Sequence, residues 1–470
     1  MISYARRLTN RLTRLARPVD PETRAALDRR WAELPAHVRT RAQTLGRHAV
    51  GCEGTNGVFP KCNLSCRPCY HSRDANAVRT DGRHTLSAVT AQMRLLRTTR
   101  GPRAHAQLIG GEVSLLDPDD HAAALLAMRA HGREPMSMSH GDFDYDYLRR
   151  VVLDPAGRIR LHRVSFAGHF DTLMSGRRAN PTPPDEASLN PQRREFVAMF
   201  ARLRREHGVR HFLAHTMTVT PANVGQIAEV VRECSHDGFG MFSFQPAASV
   251  GDDRRWTPAM SQLDPDGVWS RIEDGAGTRL PFRALQTGDE RCNRTTHGFY
   301  VGPNYFPILD DLDPADLHVR DLFLDHLGGM RFSGTPLPAL ALRLAVVLIR
   351  HPSIVAGFAG WTARMLRRIG LRRLLQHPRI RPVTFVMHSF MDAAVVAPAW
   401  AALERGERSS DPAVADAQVR LQACAYTMAH PATGRLVPAC AQHSVFDPAE
   451  NAELRRLLPI ARGRCGSADA

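Results

Sequence analysis

Between residues 55 and 250 the chain alternates short apolar runs with helical stretches, and this limits the available folds more than any other feature. "HAQLIGGEVSLL", "EPMSMSHGDF", "RLHRVSFAGHF", "HFLAHTMTVTP" and "GMFSFQPAAS" read as strands running into turns. Between them, "PDDHAAALLAMRAHG", "RREFVAMFARLRREHG" and "NVGQIAEVVRECSHDG" carry apolar residues at helical spacing, the first two closed by Gly132 and Gly208. Strand–helix alternation of this length predicts parallel βα units, hence an α/β barrel or an open part of one.

The flanks differ. Residues 1–50 read as a basic helical arm, with Ile2, Ala5, Leu8, Leu12 and Leu15 at helical spacing among arginines. A second helix starts at "PVDPETRAALDRRWAEL", with Asp20 as N-cap and Pro21 in its first position. The repeating region spans 51–255, and 256–380 reads as mostly helical, basic and amphipathic. Residues 381–470 carry short strands and a hairpin signal, and "NPTPPDEASLNP" is a surface loop. No internal repeat is visible.

A net charge of +15, almost all of it arginine, favours an anionic partner. Aromatic residues are 7% of the chain and do not interleave with the basic runs, which argues against nucleic acid. "LALRLAVVLI" and "GWTARMLRRIGLRRLLQ" fit an anionic membrane surface. No apolar run is long enough to span a bilayer, and "MISYARRLTNRLTRLARPVD" lacks the apolar core of a secretory signal. The chain is therefore expected in the cytoplasm, peripheral to the inner face of the membrane, with nine reduced cysteines.

Cys62, Cys66 and Cys69 fall within eight residues in "CNLSCRPC". A structural zinc site takes four ligands in two pairs, and an iron–sulfur cluster that only carries electrons takes four cysteines. Three thiolates on one loop leave one metal open. This spacing resembles the C-x3-C-x2-C signature of the radical S-adenosylmethionine enzymes. "LIGGEVSLL", with Gly110, Gly111 and Glu112, is similar to the family's Gly-Gly-Glu turn after the second strand. The resemblance implies an α/β fold, a partial (β/α)6 barrel with a helical N-terminal arm and a C-terminal α+β extension. It further implies that Cys62, Cys66 and Cys69 hold a [4Fe–4S] cluster whose fourth iron is chelated by S-adenosylmethionine, with Gly111 and Glu112 near the amino group and Gly110 also at the cofactor. Reductive cleavage of the sulfonium would give a 5′-deoxyadenosyl radical that abstracts hydrogen from an unreactive carbon. A flavodoxin or ferredoxin would supply the electron. Where the family often has an aromatic residue before its third cysteine, this chain has Pro68, with Tyr70 just after. His140, Ser165, Asn223 and Gln245 are further candidates on the C-terminal rim.

"CAYTMAHPATGRLVPAC" places Cys424 and Cys440 on either side of a hairpin turning at Gly434. It resembles the auxiliary-cluster hairpin of Twitch and SPASM domains. The resemblance implies a second Fe–S cluster on Cys292, Cys424 and Cys440, with Cys465 a weaker fourth; Cys52 and Cys234 read as structural thiols. "FSFQPAAS", "SFMD" and "AHPATGRLVPAC" are similar to the branch containing tetraether lipid synthase and the methanopterin methylases. That implies carbon–carbon bond formation or methylation on a lipid-like substrate. The alternatives are maturation of a ribosomal peptide and, in another class, a zinc-stabilised basic binding protein.

Overall fold

The computed structural model describes residues 17–70, 76–102, 104–251, 255–260, 263–332 and 335–460. The start of the basic arm and Cys465 lie outside them. Asp20 caps helix α1 (Pro21–Glu33), its carboxylate accepting from Thr23 N at 2.9 Å. Beyond it Pro35 stops helical continuation, and residues 34–50 fold as turns rather than as the helix expected there.

Six strands then pair in chain order, all parallel: β1 (Cys52–Gly54), β2 (Ala104–Leu108), β3 (Arg133–Ser139), β4 (Arg163–His169), β5 (Arg210–Val219) and β6 (Met241–Pro246). Helices α2 (Gly82–Arg100), α3 (Pro118–Ala130), α4 (Tyr145–Val152), α5 (Asn190–His207) and α6 (Ile227–Cys234) link them in turn, and α7 (Pro265–Ala276) follows the sixth. Parallel strands need such crossovers, which is why the periodicity was readable. Gly208, at φ 66°, closes α5 in the left-handed conformation that glycine adopts without strain. Between sheet and helices lies one large core rich in phenylalanine, including Phe166, Phe196, Phe200 and Phe242.

The later residues extend the same sheet at both edges. Strands β7 (Asn293–Val301), β8 (Asn304–Pro307), β9 (Ile380–His388), β10 (Tyr426–His430) and β11 (Arg435–Pro438) complete eleven, in the order β8-β7-β9-β6-β5-β4-β3-β2-β1-β10-β11. Strand β9 runs parallel to β6, with β7 antiparallel beyond it; β10 runs parallel to β1, with β11 antiparallel. The α/β architecture is thus a curled half-barrel of six βα units with strands added on each flank.

Helix α8 (Pro314–Leu322) leads to α9 (Leu337–Arg350), α10 (Ser353–Ile369) and α11 (Leu371–Gln376). The mostly helical segment 256–380 thus also contains the β7–β8 hairpin. The tail contains two helices where short strands were expected, α12 (Ala393–Glu404) and α13 (Pro412–Gln422), before α14 (Asp447–Leu457). Asp392 and Asp411 cap them, and their buried Val396, Ala399, Val414 and Leu421 pack together; the apolar run "AAVVAPAW" has no period that separates helix from strand.

Candidate functional site

The cysteine loop leaves β1 and presses against the turn after β2. A Cβ on Gly111 would lie 2.1 Å from Lys61 O, and one on Gly110 would lie 2.6 Å from the Phe59 ring. Gly111 N donates to Phe59 O and Glu112 N to Lys61 O, both at 2.8 Å. The close approach that these glycines permit is to the chain's own cysteine loop. Glu112 is buried, and its carboxylate accepts from Ser114 N at 3.0 Å, Ser139 Oγ at 2.7 Å and His140 N at 2.8 Å. His140 Nδ1 accepts from Asp142 N, so Nε2 carries the hydrogen and donates to Asn63 Oδ1 at 2.9 Å. Burial lowers the pKa of His140, consistent with a neutral ring.

Above the C-terminal ends of β1–β6 lies a cavity of about 260 Å³. Cys62, Cys66 and Cys69 line it, as do Tyr70, Gly110, Gly111, Glu112, His140 and Gln245. Ser165 and Asn223 are elsewhere. Ser165 sits in the first half of β4, away from the rim. Asn223 is buried in the turn after β5, donating to Thr218 O and Glu186 Oε1 and accepting from Thr220 N. The rim position on β4 is taken by His169, whose Nε2 lies 2.6 Å from the buried Asp171 Oδ2 and 3.1 Å from Thr218 Oγ1. Against the cost of burial, His169 and two backbone N–H groups hold the Asp171 pKa below its usual value.

The tail closes the cavity. Cys292, Cys424 and Cys440 line it together with the first three cysteines, as does Cys52 on β1. Arg420 Nε donates to Cys292 Sγ at 3.1 Å, and Cys424 Sγ donates to Tyr426 O at 2.9 Å. Burial pushes the Cys292 thiol up to about 11; burial and the charges of Cys424 and Cys292 push Cys440 up as well. In the first loop burial takes Cys62 to about 12, and a hydrogen bond with Cys69 followed by burial raises Cys66. Tyr70 bridges the two groups. Its ring stacks on His443 at 5.3 Å and packs on Phe390 at 4.6 Å, and its buried hydroxyl has no hydrogen-bond partner among the described residues.

No protein-family model and no curated protein matches the chain. Among solved structures, it is similar to "Native anSMEcpe with bound AdoMet and Cp18Cys peptide", with 12% identity and a TM-score of 0.30, covering 47% of this chain and 57% of that one. It is also similar to "Native anSMEcpe with bound AdoMet", with 12% identity and a TM-score of 0.31 over the same shares. The chain thus spans little more than half the length of these structures.

Two groups of thiols, Cys62, Cys66 and Cys69 from the barrel loop and Cys292, Cys424 and Cys440 from the later residues, thus line one cavity. Among the described residues no three His, Cys, Asp or Glu side chains converge on a single ion's position. Residues that the sequence reading missed are His169, Asp171, Arg420, His443 and the lining thiol of Cys52. His169 had a signal, because it shares the strand parity of Ser165 and ends β4. Arg420 and His443 had none, since long-range pairing of the tail puts them there.

Proposed function

We propose that the chain is a radical S-adenosylmethionine enzyme acting on an unreactive carbon of an apolar, lipid-like substrate. One observation carries this reading: the C-x3-C-x2-C thiols and the Gly-Gly-Glu turn lie against each other on the C-terminal rim of a parallel half-barrel and open into one cavity. Cys62, Cys66 and Cys69 would hold a [4Fe–4S] cluster, and Cys292, Cys424 and Cys440 an auxiliary one. A bound cluster and S-adenosylmethionine together supply a carbon-centred radical strong enough to take hydrogen from an sp3 carbon. The chain's own residues provide position and dryness. Leu64, Ile109, Met138, Met174 and Leu421 make the walls largely apolar, which favours a hydrocarbon substrate and keeps water from a reactive intermediate. Glu112 fixes the start of the rim by holding Ser114, Ser139 and His140, and Gln245 offers an amide to the ligand. An electron donor of the flavodoxin or ferredoxin class completes the system.

Anaerobically reconstituted protein, given dithionite and S-adenosylmethionine, should release 5′-deoxyadenosine. Cys66→Ala should abolish the release. Cys440→Ala should keep the first cluster and lower total iron and sulfide. A colourless, iron-free chain after reconstitution would overturn the proposal, and unchanged iron in Cys440→Ala would remove the auxiliary cluster from it.

A further inference from the structure

From residue 326 to residue 391 the chain has no aspartate or glutamate, yet it carries ten arginines. Helices α9–α11 lie inside this segment, and they carry aliphatic residues on their outer faces as well as on the inner ones. Only Val347 of the 14 residues of α9 is buried. Its outward stripe is Pro338, Leu342, Ala345 and Ile349, at helical spacing. In α10 the outward stripe is Val355, Ala359, Thr362 and Leu366, while Ile354, Met365 and Ile369 face the protein. Leu337, Ile349, Leu371 and Leu375 are 80%, 81%, 71% and 74% exposed. A soluble helix normally turns such residues inward.

The arginines divide by face. Arg364 and Arg368 point inward to Asp313 and Asp316, with nitrogen–oxygen distances of 2.7–2.8 Å, and tie α10 to α8. Arg350, Arg367, Arg372 and Arg379 are exposed on a segment with no carboxylate of its own.

We propose that α9, α10 and α11 form a docking surface for an anionic lipid bilayer, with the aliphatic stripes in the interface and the outer arginines on the head groups. Helices of 14 and 17 residues meeting at 107° cannot cross a bilayer as one straight span, but two rods at that angle can lie in one plane. Long arginine stems beside aliphatic rows suit a boundary where hydrocarbon meets anionic charge. A second copy of the chain fits poorly, because a two-fold contact would set this arginine-rich face against itself. Nucleic acid also fits poorly. The outward stripes are aliphatic, and Trp361 turns inward to donate Nε1 to Ile308 O at 2.7 Å. The inference does not depend on the chemistry of the cavity.

The test is flotation of the full chain with vesicles of phosphatidylcholine, alone or mixed with phosphatidylglycerol. The protein should float with the anionic vesicles at low salt and less so at physiological salt, where the screening length falls from about 30 Å to about 8 Å. Arg367→Glu combined with Arg372→Glu should weaken binding at least roughly 30-fold, as about 1 kcal/mol per basic residue requires. Ile349→Asp combined with Leu375→Asp should weaken it by about tenfold or more. These side chains are exposed, so the variants should fold; circular dichroism checks this. In the unaltered protein, anionic vesicles should slow amide exchange within 337–376. The proposal is overturned if the chain stays unbound at low salt, binds neutral vesicles equally, or floats unchanged with both arginines reversed. It is also overturned by a dimer that Leu375→Asp dissociates.

Discussion

Replacing Gly111 with alanine tests how the cysteine loop is held. The new Cβ would sit 2.1 Å from Lys61 O and 2.4 Å from both Lys61 C and Pro60 O, all backbone atoms. Ordinary contact begins near 3.4 Å, so the Lys61 peptide must retreat by about 1.3 Å. That peptide directly precedes Cys62 and accepts the Glu112 N–H at 2.8 Å, and its neighbour Phe59 accepts the Gly111 N–H. Overpacking of this kind costs about 1–3 kcal/mol. Stranding one or two buried backbone groups costs about 1–3 kcal/mol each. The expected loss is therefore about 2–9 kcal/mol, a large share of the roughly 5–15 kcal/mol typical of a folded domain. If the loop instead moves to relieve the overlap, the loss appears as misplaced cysteines. Urea unfolding of the apo protein and iron content after reconstitution read the two outcomes. Gly225→Ala is the control, because among the described residues nothing lies within 4 Å of its Cβ and no left-handed φ is required. Gly111→Ala with unchanged unfolding midpoint and unchanged iron would refute the reasoning.

Tyr70→Phe removes a buried hydroxyl that has no described partner while keeping the ring on His443 and Phe390, so apo stability should stay level or rise by about 1 kcal/mol. Tyr70→Ala should lose about 3 kcal/mol or more, read by denaturant titration. Asn223→Ala should cost about 1–3 kcal/mol, because Glu186 Oε1, Thr218 O and Thr220 N lose a shared partner, while iron content and nucleoside binding stay unchanged. Gln245→Ala should do the reverse and weaken S-adenosylmethionine binding, measured by equilibrium dialysis, at unchanged stability. The folded pKa of Asp171 lies below its unfolded value near 3.8, so its contribution is present above that pH and is lost as pH falls through the folded value. Asp171→Asn should therefore destabilise at neutral pH and flatten the acid limb of a stability–pH curve; a parallel curve would rule this out.

The barrel was legible from five of its strands and the three helices α3, α5 and α6, which carry clear helical periods, α5 with a stop at Gly208; the three-residue β1 and helices α2 and α4 were not legible. The cysteine loop was legible because its three thiols are local in sequence. The reason for the glycines after β2 was not, since nothing at Gly111 reveals that Lys61 lies against it. Asn223 was misread as a rim residue because a polar residue after a strand looks the same whether it faces a ligand or closes its own turn.

What the sequence hid most completely is how the second thiol group reaches the first. Cys52 is level with Tyr426 in a parallel ladder, so β10 sets Cys424 beside the first barrel strand. At the other edge β9 pairs with β6, and the chain beyond it carries Ser389, Phe390 and Met391 into the cavity. Both attachments are backbone ladders, whose geometry the side chains within the cavity do not set. The ladders therefore set where the tail's thiols stand, and the turn after β2 sets the cysteine loop, with Tyr70 packed on His443 and Phe390 between them. A substitution away from that turn, such as Gln245→Ala, should then alter what is bound while leaving both groups in place, whereas Gly111→Ala displaces the cysteine loop itself. Moving the tail's thiols along the barrel would require slipping β10 along β1, and a slip of one residue turns every inward side chain of that strand outward.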